Sequence, residues 1–347
     1  MRRKKLVTLI SSVCLILVLA ALPFMAACPA PEEEEEGPVI LRFAGPWPPL
    51  DPVSILFQGM ADRFNERAGG DYIMEYHPGE ALVKIMESLD AVRTGAVEMA
   101  AWPIGVFTSV DPRFAAAEVP FAFNNVNADA YAQELLLPMY SQFMEEEFNS
   151  KALTSFTCLA LDVCSTKPVK TMDDWENLLV QSVSPQASAF IENMGGSAVP
   201  MPFPEGYTSL DKGVVDATMQ SSMMMIMFKL NEVASYVTRG YLIPASLVAA
   251  INLDTWNSLP ENIQDILVEE GLETQREANE FFIGMAEENT KTLTEQGLEV
   301  YVLSKAERDE WREAVWPYSE QLIADMGDFG QEFLRIAETV NSKYPYQ

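Results

Sequence analysis

The residues able to make or break bonds are sparse in this sequence. Among 347 residues there is a single histidine, His77 in EYHPGEAL, and there are four cysteines. A lone imidazole before proline makes a poor general base, and no His or Cys cluster carries zinc spacing. The chain contains no G-x-S-x-G elbow, no H-E-x-x-H and no glycine-rich phosphate loop. Paired carboxylates could hydrolyse glycosides, but with 51 acidic residues the proximity of two acids carries no information. No catalytic residue, metal or cofactor is expected, and the chemistry left to these side chains is binding.

Cys14 and Cys28 lie near the N-terminus, whereas Cys158 and Cys164 fall together in CLALDVC. On one extended strand, six residues at roughly 3.3 Å each separate the second pair by about 20 Å. That is far outside disulfide reach, so two buried free thiols are expected unless the chain bends sharply between them. Lys plus Arg number 23 against 51 Asp plus Glu, a formal net charge of −28. Such an acidic body repels phosphate backbones and argues against nucleic acid as a partner.

The elements that must position any binding groups begin after an export segment. MRRKKLVTLISSVCLILVLAALPFMAAC joins a basic tip, an apolar run and small residues ahead of Cys28, the pattern of a cleaved secretory signal. Ser11, Ser12 and Pro23 interrupt the run, which argues against a permanent membrane span. FMAAC resembles a bacterial lipobox, implying a lipoprotein signal over residues 1–27 and a lipid on Cys28 that holds the chain to the membrane in a periplasmic or extracytoplasmic location. A plainly secreted protein with an incidental Cys28 is the other reading. Removing residues 1–27 takes away four basic residues and no acid, moving the charge from −28 to −32. Residues 28–38, with five adjacent glutamates and nothing to bury, read as an acidic tether, either a spacer or a solvated tail.

VILRFAG (39–45) alternates as a strand and stops at the turn-forming PWPPLDP. A helix over 54–67, a strand in GGDYIMEYHPG, a helix in ALVKIMESLDAVRTG and a strand in AVEMAAW follow. That alternation predicts an α/β domain with a mainly parallel sheet. Open α/β sheets bind ligands at the carboxyl ends of their strands, so the loops GPWPP and WPIG place Trp47 and Trp102 in one cleft wall. A second set follows, with strands in SFTCLALDVC, LLVQSVS, GGSAVPM and VVDATMQ and a helix in PEGYTSLDKG. SSMMMIMF (221–228) reads as a helix whose methionines are core, with an adaptable ligand surface as the alternative. Beyond YLIPASLVAAIN (241–252) the chain is almost wholly helical, interrupted by the strand LEVYVL. The pattern predicts two α/β lobes joined by crossings of the chain and braced by long helices.

Three motifs in order, KPVKTMDDWENLLVQSVSP, GGSAVPMPFPEGYTSLDKGVVDA and DTWNSLPENIQDIL, resemble those of the DctP-type solute receptors of tripartite ATP-independent periplasmic (TRAP) transporters. The resemblance runs from about Leu41 to beyond Trp316. It implies a two-lobed periplasmic-binding-protein-like α/β fold with a central cleft, hinge strands and a long helix bridging both lobes, here residues 261–297. It further implies an extracytoplasmic receptor that closes on a small organic solute, usually a carboxylate, and delivers it to the TRAP permease subunits. On this frame lobe I comprises residues 39–158 with 247–285, and lobe II residues 159–246 with 286–347. A membrane-tethered ligand sensor without a permease, or a secreted hydrolase, are the competing functional readings.

Aligned to the family pattern, DWENLLVQ puts Asp174 on the usual Asp, Asn177 on a usual Gly, Leu179 on a usual Lys and Gln181 on the Arg that pairs with the solute carboxylate. No second basic residue stands in FTCLALDVCST. An Arg holds a carboxylate through a planar charged fork, whereas a Gln amide offers donors and an acceptor without charge. Gln181 therefore either faces a solute that is neutral or otherwise neutralised, receives help from an Arg elsewhere such as Arg113 or Arg239, or caps a buried backbone group. The resemblance also places Phe203 and Gln220 at the solute, and Ser184 follows Gln181 on the same loop. With Trp47, Trp102 and Gln181 these six residues form the expected aromatic and amide-lined pocket.

Overall fold

A computed structural model describes residues 37–346. Residues 1–36 and 347, and with them the signal segment 1–27, Cys28 and most of the acidic tether 28–38, lie outside the described residues.

The first lobe begins with β1 (Val39–Ala44), α1 (Pro52–Arg67), β2 (Tyr72–His77), α2 (Ser88–Arg93) and β3 (Met99–Pro103). Helix α1 starts where it does because the Asp51 side chain accepts a hydrogen bond from Val53 N and Pro52 needs no partner for a missing N–H. Its buried face, Val53, Phe57, Met60, Ala61 and Phe64, keeps helical spacing. The helix expected in ALVKIMESLDAVRTG is shorter than its pattern suggests. The Glu80 carboxylate accepts from Ile85 N at 2.9 Å and holds the preceding segment as a loop, leaving a 3-10 turn, Ile85–Glu87, before α2.

Next come α3 (Val126–Phe148), a helix beyond those the sequence pattern predicts, and the long strand β4 (Ser150–Ser165). The second lobe contributes β5 (Leu179–Ser182), α4 (Pro185–Asn193), β6 (Ser197–Pro200), α5 (Gly206–Asp211), β7 (Ala217–Gln220) and α6 (Ser222–Met227). The chain returns through β8 (Tyr236–Asn252) and ends in α7 (Leu253–Ser258), α8 (Glu261–Glu295), β9 (Glu299–Val302), α9 (Lys305–Asp325) and α10 (Asp328–Lys343).

The strand order is β2-β1-β3-β8-β4-β7-β5-β6, with β9 also paired to β8. β1 runs parallel to β2 and β3, and β5 parallel to β6 and β7, giving two parallel halves. Between them β4 and β8 pair antiparallel, and each serves both halves. β3 pairs with residues 247–251 of β8, whereas β9 pairs with residues 236–239 of the same strand. β7 takes residues 162–165 of β4. In the middle the β4–β8 register shifts between Ala152 and Thr154, between Thr157 and Ala160, and between Leu161 and Val163. Leu159 and Tyr241 there adopt positive φ, 75° and 52°. Such irregularities bend and twist the strands that carry them.

The cores divide along the same line. Phe43, Phe57, Trp102 and Phe156 pack together in the first half. In the second half Val163 and Cys164, successive on β4, enter different clusters, because successive strand residues face opposite sides of a sheet. Trp175, Phe190 and Trp311 fill one of these clusters, Leu210, Met225 and Leu293 the other.

Helix α8 has 35 residues, about 50 Å at 1.5 Å per residue. Its Ile263, Leu267 and Phe282 lie in the first-half core and Leu293 in the second, the bridge that the family resemblance implies. Arg63 and Arg67 of α1 grip the largely buried Glu270 of α8 at 2.6 and 2.7 Å. Gly271 of α8 rests on the Leu153 carbonyl of β4 so closely that any Cβ would strike the oxygen.

Residues 286–347, expected in the second lobe, pack against both cores. Trp311 and Val315 of α9 belong to a second-half core, but Ile323 and then Phe333, Ile336 and Val340 of α10 pack into the first-half core. Pro317 lies inside α9 between these two attachments.

Replacing Gly271 with Ala tests the close approach. Helix propensity alone would stabilise by up to about 1 kcal/mol, but the clash with a backbone carbonyl reverses the sign. Gly271→Ala is expected to lower stability by about 1–3 kcal/mol, seen as a lower urea midpoint with an unchanged slope.

Candidate functional site

Where β4 and β8 lose register, α3 supplies a carboxylate to both. Asp129 is fully buried. It accepts hydrogen bonds from Thr157 Oγ1 of β4 at 2.8 Å, from Tyr241 OH of β8 at 2.9 Å and from Gln133 Nε2 at 2.9 Å, with Ser246 Oγ of β8 at 3.4 Å. Burial pushes this carboxyl up to about 6 against the pull of four hydrogen bonds, and raises the Tyr241 phenol well above its ordinary value.

Beside this junction lies a cavity of about 400 Å³, within the size range of small-molecule sites. Its walls come from loops at the carboxyl ends of strands in both halves: Trp47 after β1, Gly105 and Val106 after β3, Ser184 after β5, Phe203 after β6 and Ser221 after β7. Cys158 and Leu161 of β4 and Ala245 of β8 contribute from the crossing strands. This is the crevice position that open α/β sheets favour.

Three of the six expected residues meet at this cavity. Trp47 is set by its own carbonyl, which accepts from Ser54 Oγ at 2.9 Å and Gly79 N at 2.7 Å. Ser184 caps α4, its hydroxyl accepting from Ala187 N. Phe203 opens the 3-10 turn before α5.

The other three do not line it. Trp102 is fully buried and packs edge-on against Phe107 at 5.9 Å; it ends up in the core because it lies within β3 rather than on the following loop. Gln181 is fully buried too, donating from Nε2 to the Pro202 carbonyl at 2.7 Å and accepting at Oε1 from Gln220 Nε2 at 3.0 Å. The two amides tie the 201–206 segment to β5 and β7, so the capping alternative describes Gln181 here. Asn177, at the usual glycine position, has φ 62°, a left-handed conformation that Asn tolerates better than most residues.

Neither arginine considered as a substitute reaches the cavity wall. Arg113 forks onto Asp111 at 2.9 and 2.6 Å. Arg239 lies against Asp162 at 3.4 Å and donates to the Ala286 carbonyl at 3.1 Å. Both are half-buried. Cys158 and Cys164 are free thiols, the first half-buried at the cavity and the second buried. Met223 and Met224 line the cavity, so part of the methionine run faces the cleft while Met225 enters the core.

Glu118 was not singled out by its sequence. It sits at the cavity wall and is 8 % exposed. Among the described residues its Oε2 is buried without a hydrogen-bond partner. Burial pushes its carboxyl up to about 7, with the Ser184 hydroxyl opposing. A Cβ on Gly105 would strike the carboxyl, so that glycine leaves the space Glu118 occupies. The one signal available was an isolated acid in an apolar run, FAAAEVPFAF.

A family model described as DctP, bacterial extracellular solute-binding protein, family 7, matches residues 43–325. The C4-dicarboxylate-binding periplasmic protein DctP of Rhodobacter capsulatus is 26% identical over 307 residues, covering 84% of this chain and 88% of its own. The fold is shared with DctP7, a Bordetella pertussis extracytoplasmic solute receptor binding pyroglutamic acid, with a TM-score of 0.79 at 17% identity over 86% of this chain and 99% of that one. It is shared equally with a TRAP periplasmic solute binding protein from Desulfovibrio salexigens with bound orotic acid, with a TM-score of 0.76 at 23% identity over 88% and 99%.

The raised Glu118 carboxyl has a thermodynamic sign. Between its unfolded value of 4.5 and about 7 in the fold, the native state holds more protons, so its contribution to stability is present below that window and is lost as pH rises through it. The stability of Glu118→Gln relative to the parent is expected to climb between pH 4.5 and 7 and to level off above pH 8, measured by urea unfolding across that range.

Proposed function

The chain belongs to the DctP family of bacterial extracellular solute-binding proteins, and from that premise we propose that it receives a small, largely apolar solute without net negative charge. The solute enters the cavity between the two halves and is handed to a TRAP permease. The observation that carries this reading is the cavity itself: among its described lining residues there is no Lys or Arg. Burying a carboxylate without a cation costs several kcal/mol, and an acidic chain supplies no attractive field for an anion. The relatives named for C4-dicarboxylates, pyroglutamic acid and orotic acid bind acids. The departure is consistent with Gln181 standing at the family's Arg position and turning to backbone carbonyls instead.

In this reading the lobes meet at the β4 and β8 crossings near residues 158/159 and 246/247, and closure proceeds about that hinge. Contacts from Trp47 and Val106 on one side and Ser184, Phe203 and Met223 on the other stabilise the closed form, which the permease recognises. The outcome is binding without turnover. Cys28, carrying lipid after removal of residues 1–27, holds the receptor to the membrane in its periplasmic or extracytoplasmic location.

Native mass spectrometry of the purified protein is expected to show a retained solute that is uncharged or basic; a retained dicarboxylate, pyroglutamate or orotate would overturn the charge argument. For the anchor, Cys28→Ala is expected to move the exported protein from the membrane pellet to the soluble fraction, and an unchanged membrane share would remove the lipid from the account.

A further inference from the structure

We propose that Glu118 is the polar anchor of the cleft and that it selects a solute bearing a protonated amine on an apolar body. The proposal rests on the receptor reading above and adds the chemical group that the receptor recognises. Glu118 is the only Asp, Glu, Lys or Arg among the described residues lining the cavity. Its Oε2 finds no donor among the described residues, and an unpaired carboxylate in an apolar wall is costly until a donor arrives. Among the described residues lining the cavity there is no cation. Arg113 is taken by Asp111, and Arg239 lies against Asp162. A counter-charge must therefore come from a proton or from the solute.

The surroundings suit an ammonium group. Trp47 and Phe203 supply aromatic faces at the same cavity, which attract cations through their ring quadrupoles. Met223 and Met224 add polarizable apolar surface for the body of the solute. Glu118 comes from the segment after β3, and the Ser184 hydroxyl beside it caps α4 in the other half. A donor held at Glu118 is thus placed where both halves can touch it, which is what ligand-driven closure requires.

The titratable groups facing the carboxyl are the Cys158 thiol and the Tyr318 phenol, each sensing its charge, along with the Ser184 hydroxyl. None supplies a positive charge. With the Glu118 carboxyl near 7, an amine that stays protonated throughout should bind roughly tenfold more tightly at pH 8 than at pH 6.

Calorimetric titration of the purified protein with phenethylamine, 2-phenylethanol and phenylacetate, which share one apolar body, tests the proposal. Phenethylamine is expected to bind at least tenfold more tightly than the alcohol at pH 8, with phenylacetate weakest. Glu118→Gln should erase both the amine preference and its pH dependence, whereas Glu118→Asp, which keeps the charge and guards against a folding defect in the amide variant, should retain the preference at reduced affinity. Amine binding that is absent, no tighter than the alcohol's, or unchanged in Glu118→Gln would overturn the anchor and leave the receptor reading intact. Tightest binding by phenylacetate would overturn both.

Discussion

The structure depends on one buried carboxylate. Asp129 of α3 takes hydrogen bonds from both crossing strands at the place where their pairing slips. A ladder that loses register leaves side chains and backbone groups without their usual partners, and burying them unpaired would cost about 1–3 kcal/mol each. The Asp129 oxygens accept from hydroxyls of Thr157, Tyr241 and Ser246, so the irregularity is held by buried side-chain hydrogen bonds. The cavity adjoins it, with Cys158, Leu161 and Ala245 of the same two strands in its wall. Cavity and junction are therefore built from the same stretches of β4 and β8.

Charge is distributed unevenly between surface and cleft. The chain carries a formal charge of −28, yet Glu118 is the only acid among the described residues at the cavity. Surface carboxylates interact through water and salt, which screen them, whereas Glu118 sits in apolar surroundings where any partner is felt strongly. The bulk acidity and the cleft chemistry are thus separate facts, one about solubility and long-range repulsion, the other about what the cavity recognises.

Much of the architecture was legible because periodicity reports burial. β1, α1, β2, β3 and the long α8 stand where their patterns put them, and the three ordered motifs carried the family. The site was only half legible. Trp47, Ser184 and Phe203 follow strand ends, where topology constrains direction. Trp102 and Gln181 lie within strands, and the sequence does not say which face a single residue takes when both faces are buried. Glu118 was hidden for a different reason: what marks it is an Oε2 left without a hydrogen-bond donor among the described residues, and a missing partner has no residue pattern. The docking of α10 was likewise invisible, since an amphipathic helix announces an apolar face without naming the core it joins.

The path of α9 has a mechanical consequence. One end is fixed through Trp311 and Val315, the other through Ile323 and the helix that follows, in different cores. A continuous helix pinned at both ends would act as a rigid strut, and any rotation between its anchorages would have to tear side chains from one of them. Pro317 removes a main-chain hydrogen bond between the two pins and forces a local clash with the preceding turn. The helix nevertheless runs on through Pro317, so the missing bond is a soft point in a continuous strut, where bending costs less than elsewhere along it.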